Sequence, residues 1–248
     1  MILGGKTQIL IIFQPKTAFG EKYPCFGEFV FVYFIVHQMN KILEVLISMK
    51  NAYFGETLSF SYMTGEDIFP VSRMLEKESV CKWLFFGPNS SDMTRKYFEP
   101  LIDAMENDIK AKNQLKTHIF TIRERISGHF VGQCALLPVD FSEGSYTAAY
   151  QLDDICWRRG YGFEACRFLV YYAFFVCGGY RINADCAKEN TASCRILEKC
   201  GFLKECNQEK YWNYKDSFHD RVLYSLLFEN IPLNFQESLK NEFEESLF

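Results

Sequence analysis

The stretch Leu152-Asp153-Asp154-Ile155-Cys156-Trp157-Arg158-Arg159-Gly160-Tyr161-Gly162-Phe163-Glu164-Ala165 concentrates residue types that bind anions. A strand signal runs into a loop with two arginines and two glycines, and a helix opens at its far end. Glycines at 160 and 162 let the backbone approach a ligand without a Cβ in the way. The first N–H groups of a helix have no intrahelical partner and point at whatever lies before it. With the helix dipole and two guanidiniums they make a site suited to a phosphate or pyrophosphate. The same residues also read as an ordinary glycine-rich turn with solvated arginines. A P-loop is excluded, because no Gly-Lys-Ser/Thr follows. A dinucleotide-binding G-x-G-x-x-G is excluded because no parallel βαβ half surrounds the glycines.

The elements that must hold this loop follow from periodicity. Glu56–Tyr62 alternates polar and apolar residues and predicts a strand. Thr64-Gly-Glu-Asp67 supplies a helix start, followed by Ile68–Ser79 with Val71, Met74 and Leu75 on one side. Met93–Lys112 predicts a second helix, with Tyr97, Leu101, Ala104, Met105 and Ile109 as its apolar stripe. His118–Arg123 and Phe130–Leu136 flank a Ser127-Gly128 turn and read as a hairpin. Ser145–Leu152 is a further strand. Gly160–Cys177 is a helix with Ala165, Phe168, Leu169, Tyr172 and Val176 inward, stopped by Gly178-Gly179. Tyr180–Cys186 is a strand, Thr191–Lys199 a helix ended by Gly201, and Val222–Phe228 a late strand. The order predicts an α/β sheet of mixed direction with a strand–loop–helix unit at its centre.

Composition bounds the rest. The 248 residues are 48% hydrophobic and 23% charged, which excludes disorder for most of the chain. With 25 Phe, 14 Tyr and 3 Trp there is ample apolar area for a core. A net charge of −4 supplies no global positive field for nucleic acid. The ten cysteines include no C-x-x-C pair, and none of the four histidines stands beside a cysteine cluster. A structural zinc site is not expected, and the thiols read as free, in a reducing cytoplasmic setting. Ile9–Phe13 and Phe29–Val36 are too short to span a bilayer. Residues 1–52 read as an apolar extension packing on the main domain, or residues 1–48 as sequence upstream of a translation start at Met49. Glu237–Phe248 is polar and acidic and reads as part of a fraying tail over 233–248.

Four stretches in order carry a resemblance: Ala149–Leu152, Trp157–Ala165, Gly179–Ala184 and Glu189–Phe202. Together they resemble the Gcn5-related N-acetyltransferase (GNAT) superfamily, in its RimJ/RimL-like branch, over about Glu56–Phe228. The resemblance implies an N-acetyltransferase domain over 53–232, with a mixed, mostly antiparallel sheet flanked by helices and strands splayed at an acetyl-CoA site. It implies no metal. Carried over, the pyrophosphate loop covers Trp157, Arg158, Arg159, Gly160, Tyr161 and Gly162, with Phe163 opening the helix. Trp157 stands where the family usually has Arg or Gln, which leaves Arg158 and Arg159 as the phosphate-side cations. Leu152, Asp153 and Asp154 would pair with the pantetheine arm, and Asn190 would approach it near the thiol.

Acetyl transfer needs a neutral amine, a polarised thioester carbonyl and a proton for the departing thiolate. Backbone N–H groups from Leu152 onward and near Asn183 are expected to polarise the carbonyl. The tyrosine that many family members place in the last helix is absent, since Leu197-Glu198 stands there, and Ser193 is the best replacement. Asp185, with Asp153 or Asp154, is the candidate base, while solvated carboxylates are the plainer reading. Tyr150 and Tyr161 read as packing residues and Glu164 as a first-turn carboxylate. Thr64–Lys112 and Lys204–Arg221, with Cys206, Tyr211, Trp212, Tyr214 and His219, should form the acceptor pocket. The acceptor is a protein N-terminal α-amine or a small amine such as a polyamine or aminoglycoside. Two other readings are a non-catalytic acyl-CoA-binding module and a membrane-associated enzyme held by Phe29–Ile47. A homodimer is left open.

Overall fold

Alternating and β-branched runs pair wherever one face of the strand can be buried. In this computed structural model, which describes residues 52–243, eight strands do so. The strands are β1 (Ala52–Phe54), β2 (Leu58–Tyr62), β3 (His118–Glu124), β4 (Phe130–Val139), β5 (Ser142–Leu152), β6 (Arg181–Ala187), β7 (Leu203–Tyr214) and β8 (Ser217–Leu227). They form one sheet in the order β1-β2-β3-β4-β5-β6-β8-β7. Every neighbouring pair is antiparallel except β5 and β6, which are parallel. A parallel neighbour requires a crossover, and here that crossover is a helix. The readings of Ile9–Phe13, Phe29–Ile47, Met49, Cys25 and 244–248 lie outside the described residues.

The crossover helix is α4 (Tyr161–Tyr171), continued by a π turn over Tyr172–Val176. Before it come α1 (Ile68–Leu75), α2 (Glu78–Cys81) and α3 (Ser91–Ala111); after it come α5 (Thr191–Lys199) and α6 (Leu233–Phe243). Ala165, Phe168 and Leu169 of α4 and Tyr172 of the π turn are buried as expected, whereas Val176 is exposed. Phe168 stacks on Phe60 at a centroid distance of 4.0 Å, and Phe120, Tyr172 and Phe243 surround the pair. This aromatic block holds α4 to the sheet and so fixes where its N-terminus points. Among the described residues no helix is long and apolar enough to cross a membrane.

The glycine loop sits inside a parallel β5–α4–β6 unit, so the expectation that no βαβ half surrounds it is overturned. Other expectations change as well. The helix predicted over Ile68–Ser79 breaks into α1 and α2, with Lys77 extended at the break (ψ 126°). The buried stripe of α3 is Thr94, Phe98, Ile102 and Met105, while Tyr97 and Ile109 face solvent. The true stripe contains a threonine, so apolar periodicity alone picks a neighbouring face. β7 carries no clear strand signal because it is an edge strand with most of its residues exposed, and such strands show little alternation. Finally, 233–243 is no fraying tail: α6 places Leu239 and Phe243 in the core, and Glu242 and Ser238 bond Arg167 of α4.

Candidate active site

β5 and β6 pair only from Ser145–Arg181 to Thr147–Asn183. At the last paired position the Asn183 amide donates to Ser145 Oγ (3.1 Å) and to the Tyr146 carbonyl (3.0 Å). Beyond it β6 follows β8, while β5 stays on β4 as far as Leu152–Gly132. The strands therefore part, and the free edge of β5 faces a cleft of about 650 Å³. That edge runs over 148–152, four residues earlier than the sequence suggests. At Asp153 the backbone N–H already bonds the Val131 carbonyl (2.8 Å).

One end of the cleft is closed by the glycine loop and the first turn of α4. Gly160 has φ +85°, and a Cβ there would meet nothing within 4 Å, so the requirement is conformational. Gly162 is the reverse case: a Cβ would lie 2.9 Å from Ile196 Cδ1, so this glycine serves the close packing of α5 on α4 rather than ligand approach. Trp157 donates its indole N–H to the Leu152 carbonyl (2.9 Å) and anchors the loop to the strand end. The two arginines separate. Arg158, at φ +63°, lines the cleft and makes no ion pair among the described residues. Arg159 turns to Glu124 (3.2 Å), which Tyr161 also bonds (2.9 Å). Leu152, Trp157, Gly160, Tyr161, Gly162, Phe163 and Asn190 also line the cleft; Arg159, Asp153 and Asp154 do not.

At the middle of the cleft stand two hydroxyls. Asn190 caps α5 by accepting the Ser193 backbone N–H at 3.3 Å. That cap brings Ser193 Oγ to 3.2 Å from Tyr150 Oη, and both residues line the cleft. Burial pushes the Tyr150 phenol well above its ordinary range, so it stays protonated. Tyr150, which from sequence reads as packing, is therefore a second hydroxyl of the site. Its signal is in the strand alternation, which puts Ala148, Tyr150 and Leu152 on the face that carries α4.

The carboxylates are mostly occupied. Asp185 lines the cleft, and its Oδ2 accepts from Arg221 Nε at 3.0 Å. Lys77 holds Asp153 (2.6 Å) and Asp154 (2.8 Å), and Ser79 Oγ adds a bond to Asp154 at 2.5 Å. The Lys77 and Ser79 hydrogen bonds hold Asp154 well below the usual carboxylate range. This cluster ties α2 to the end of β5 and so roofs the cleft with Val80, Trp83 and Leu84. Glu164 accepts from Thr57 N (3.0 Å), Thr57 Oγ1 (2.5 Å) and Leu58 N (2.9 Å); it fastens α4 to the β1–β2 turn. Beyond Trp83, Phe85 stacks on Trp212 (4.5 Å), touches His219 (4.9 Å) and meets Tyr214 edge-on (5.9 Å). Arg221 lies over Tyr211 (4.7 Å), whereas Cys206 is exposed on β7.

Comparison with known proteins bears on the family and the fold. A family model described as an acetyltransferase (GNAT) domain matches residues 58–203. The uncharacterized N-acetyltransferase p20 of Bacillus licheniformis is 28% identical over 123 residues, which is 50% of this chain and 68% of that protein. A GNAT-family acetyltransferase from Bacillus anthracis superposes with a TM-score of 0.62 at 22% identity, covering 72% of this chain and 99% of that one. Spermidine N-acetyltransferase from Vibrio cholerae, solved with CoA and spermine, gives 0.60 at 14% identity over 70% and 97%. RimL, a ribosomal L7/L12 α-N-protein acetyltransferase solved with coenzyme A, gives 0.59 at 15% over 72% and 98%. These structures share the fold.

Proposed function

The chain belongs to the GNAT acetyltransferase family, and from that premise we propose that it transfers acetyl from acetyl-CoA to a primary amine in the cleft between β5 and β6. The acceptor is a protein N-terminal α-amine or a small amine of the polyamine or aminoglycoside kind, and the enzyme works in the cytoplasm as a RimJ/RimL-like member. The observation that supports this most is the free edge over 148–152, with a helix N-terminus at one end and a hydroxyl pair at its middle. The residues present fit the co-substrate. Arg158 and the N–H groups opening α4 suit the pyrophosphate. Unpaired β5 backbone and the apolar wall of Ala148, Leu152 and Ile196 suit the pantetheine. Acetyl-CoA supplies an activated thioester and a thiol leaving group.

The chain's own groups do the rest. Backbone N–H groups on the free edge of β5 polarise the carbonyl. Ser193 Oγ gives the departing sulfur a proton and recovers one from the nitrogen being acetylated, while its hydrogen bond with Tyr150 Oη holds it in place. Asn190 is a positioning residue, because its cap sets where Ser193 stands. Asp185 presents its second oxygen, Oδ1, to the acceptor ammonium while Arg221 holds Oδ2. The test is release of free CoA from acetyl-CoA across a panel of N-terminal peptides, polyamines and aminoglycosides. Release with at least one class is expected. Tight binding of acetyl-CoA with no release on any amine would replace this reading with a non-catalytic acyl-CoA-binding module.

A further inference from the structure

A pair of thiols that the acetyl-transfer reading does not use begins at this cleft. Cys186, on β6, lines the cleft and is 8% exposed; Cys194, in the first turn of α5, is half-buried and stands behind Cys186 rather than on the lining. Cys156 also lines the cleft, but no contact of it with another thiol is seen among the described residues. The Sγ atoms of Cys186 and Cys194 are 3.3 Å apart. A disulfide needs about 2.05 Å, so bonding requires an approach of roughly 1.2 Å. The bond would tie β6 to the opening of α5, where the Cys194 N–H bonds the Asn190 carbonyl (3.1 Å). Asn190 and Ser193 belong to that same turn, so a bond there constrains the cap and the Ser193 hydroxyl. A second thiol contact, Cys166 with Cys200, lies in the core with both residues buried and off the cleft wall. It has the chemistry without the access.

We propose that Cys186, in the wall of the cleft, and Cys194, behind it on α5, form a reversible dithiol–disulfide couple, oxidised through Cys186 by a small-molecule disulfide that enters the cleft. The Cys186 thiolate attacks one sulfur of the small disulfide. That S–S bond breaks, a mixed disulfide forms on Cys186, and one small thiol leaves with a proton. The Cys194 thiolate then attacks the Cys186 sulfur, forming the Cys186–Cys194 bond and releasing the second small thiol. The protein loses two protons and two electrons, and the small disulfide gains them. Burial pushes the Cys186 thiol up, so the exchange runs faster as pH rises and its thiolate fraction grows. The consequence for acetyl-CoA binding rests on the proposed function; the couple itself does not.

The test treats the reduced full chain with glutathione disulfide, quenches in acid and maps peptides without reductant. Tryptic cleavage at Lys188 separates the two cysteines, so a bond between them joins two peptides. The expected product is that joined pair, reversible by a thiol reductant, with Cys166 and Cys200 still free. In Cys194→Ser the glutathionyl group should remain trapped on Cys186. A stable adduct on wild-type Cys186 with Cys194 free, or no change at either thiol, overturns the couple. Acetyl-CoA titration of both forms is run alongside, with several-fold weaker binding expected after oxidation. Should the bond form while neither form binds acetyl-CoA, the couple stands and the cofactor reading falls. Should acetyl-CoA bind while no bond forms, the couple falls and the cofactor reading stands.

Discussion

Tyr150 and Tyr172 make nearly the same bonds in two different places. Tyr150 Oη meets Ser193 Oγ at the cleft wall. Tyr172 Oη meets Tyr62 Oη (2.6 Å) and His118 Nδ1 (3.0 Å), and His118 Nε2 lies 3.6 Å from Cys177 Sγ. By residue type the second cluster is the richer in chemistry, since it holds a cysteine against a histidine. Burial decides otherwise. It pushes the Cys177 thiol up to about 12 and the His118 imidazole down to about 4. Both are neutral at pH 7, so the contact is a hydrogen bond between uncharged groups and not a thiolate–imidazolium pair. Access to a cleft, rather than the inventory of reactive groups, separates the hydroxyl proposed to work from the structural one.

The largest expected effect breaks or sharpens that contrast directly. Removing the cleft hydroxyls together, Tyr150→Phe with Ser193→Ala, should lower kcat by about 10²–10⁴, the usual worth of positioned proton transfer. Acetyl-CoA affinity should change little. Tyr172→Phe should leave kcat in place and cost about 1–3 kcal/mol in denaturant unfolding, from buried partners left unpaired. Equal losses of kcat in both variants would erase the distinction.

A second effect belongs to the closed cluster alone. His118 has a folded value near 4 against an ordinary value of 6.5. Between those values the unfolded chain binds a proton that the folded one refuses, so stability falls as pH drops from about 6.5 to about 4 and levels off below. The full shift is worth roughly 3 kcal/mol. Urea unfolding of wild type and His118→Gln across this window checks it, and the variant's curve should lack that slope. The same slope in both would place the proton elsewhere.

How much of this is legible in the sequence follows from the kind of signal each part carries. The loop, the helix it opens and the Asn190–Ser193 turn are local in sequence, and the structure brings these residues to one cleft. The sheet's mixed direction is also readable, because strand and helix periods differ. What escapes is pairing across long separations. Lys77 pairs with Asp153 and Asp154, Arg221 takes one oxygen of Asp185, and Glu124 takes Arg159. Each partner is more than thirty residues away, and no spacing rule reaches that far. α6 reads as a tail because acidic composition hides Leu239 and Phe243, and Thr94 hides the buried face of α3.

The two arginines carry the finer form of the same lesson, that neighbours of one type diverge once the fold gives one a partner. Arg158→Ala should weaken acetyl-CoA binding by about 1–3 kcal/mol, the range for hydrogen bonds to charged groups. It should also leave thermal stability unchanged, because the side chain has no ion-pair partner among the described residues to lose. Arg159→Ala is the smallest effect. Its guanidinium points at Glu124 on a surface where solvent and salt screen the pair, so binding should change by less than about twofold. Calorimetric titration of both variants at low and moderate salt distinguishes them. If Arg159→Ala weakens acetyl-CoA binding as much as Arg158→Ala does, Arg159 leaves Glu124 when the co-substrate arrives, and the loop binds with both cations.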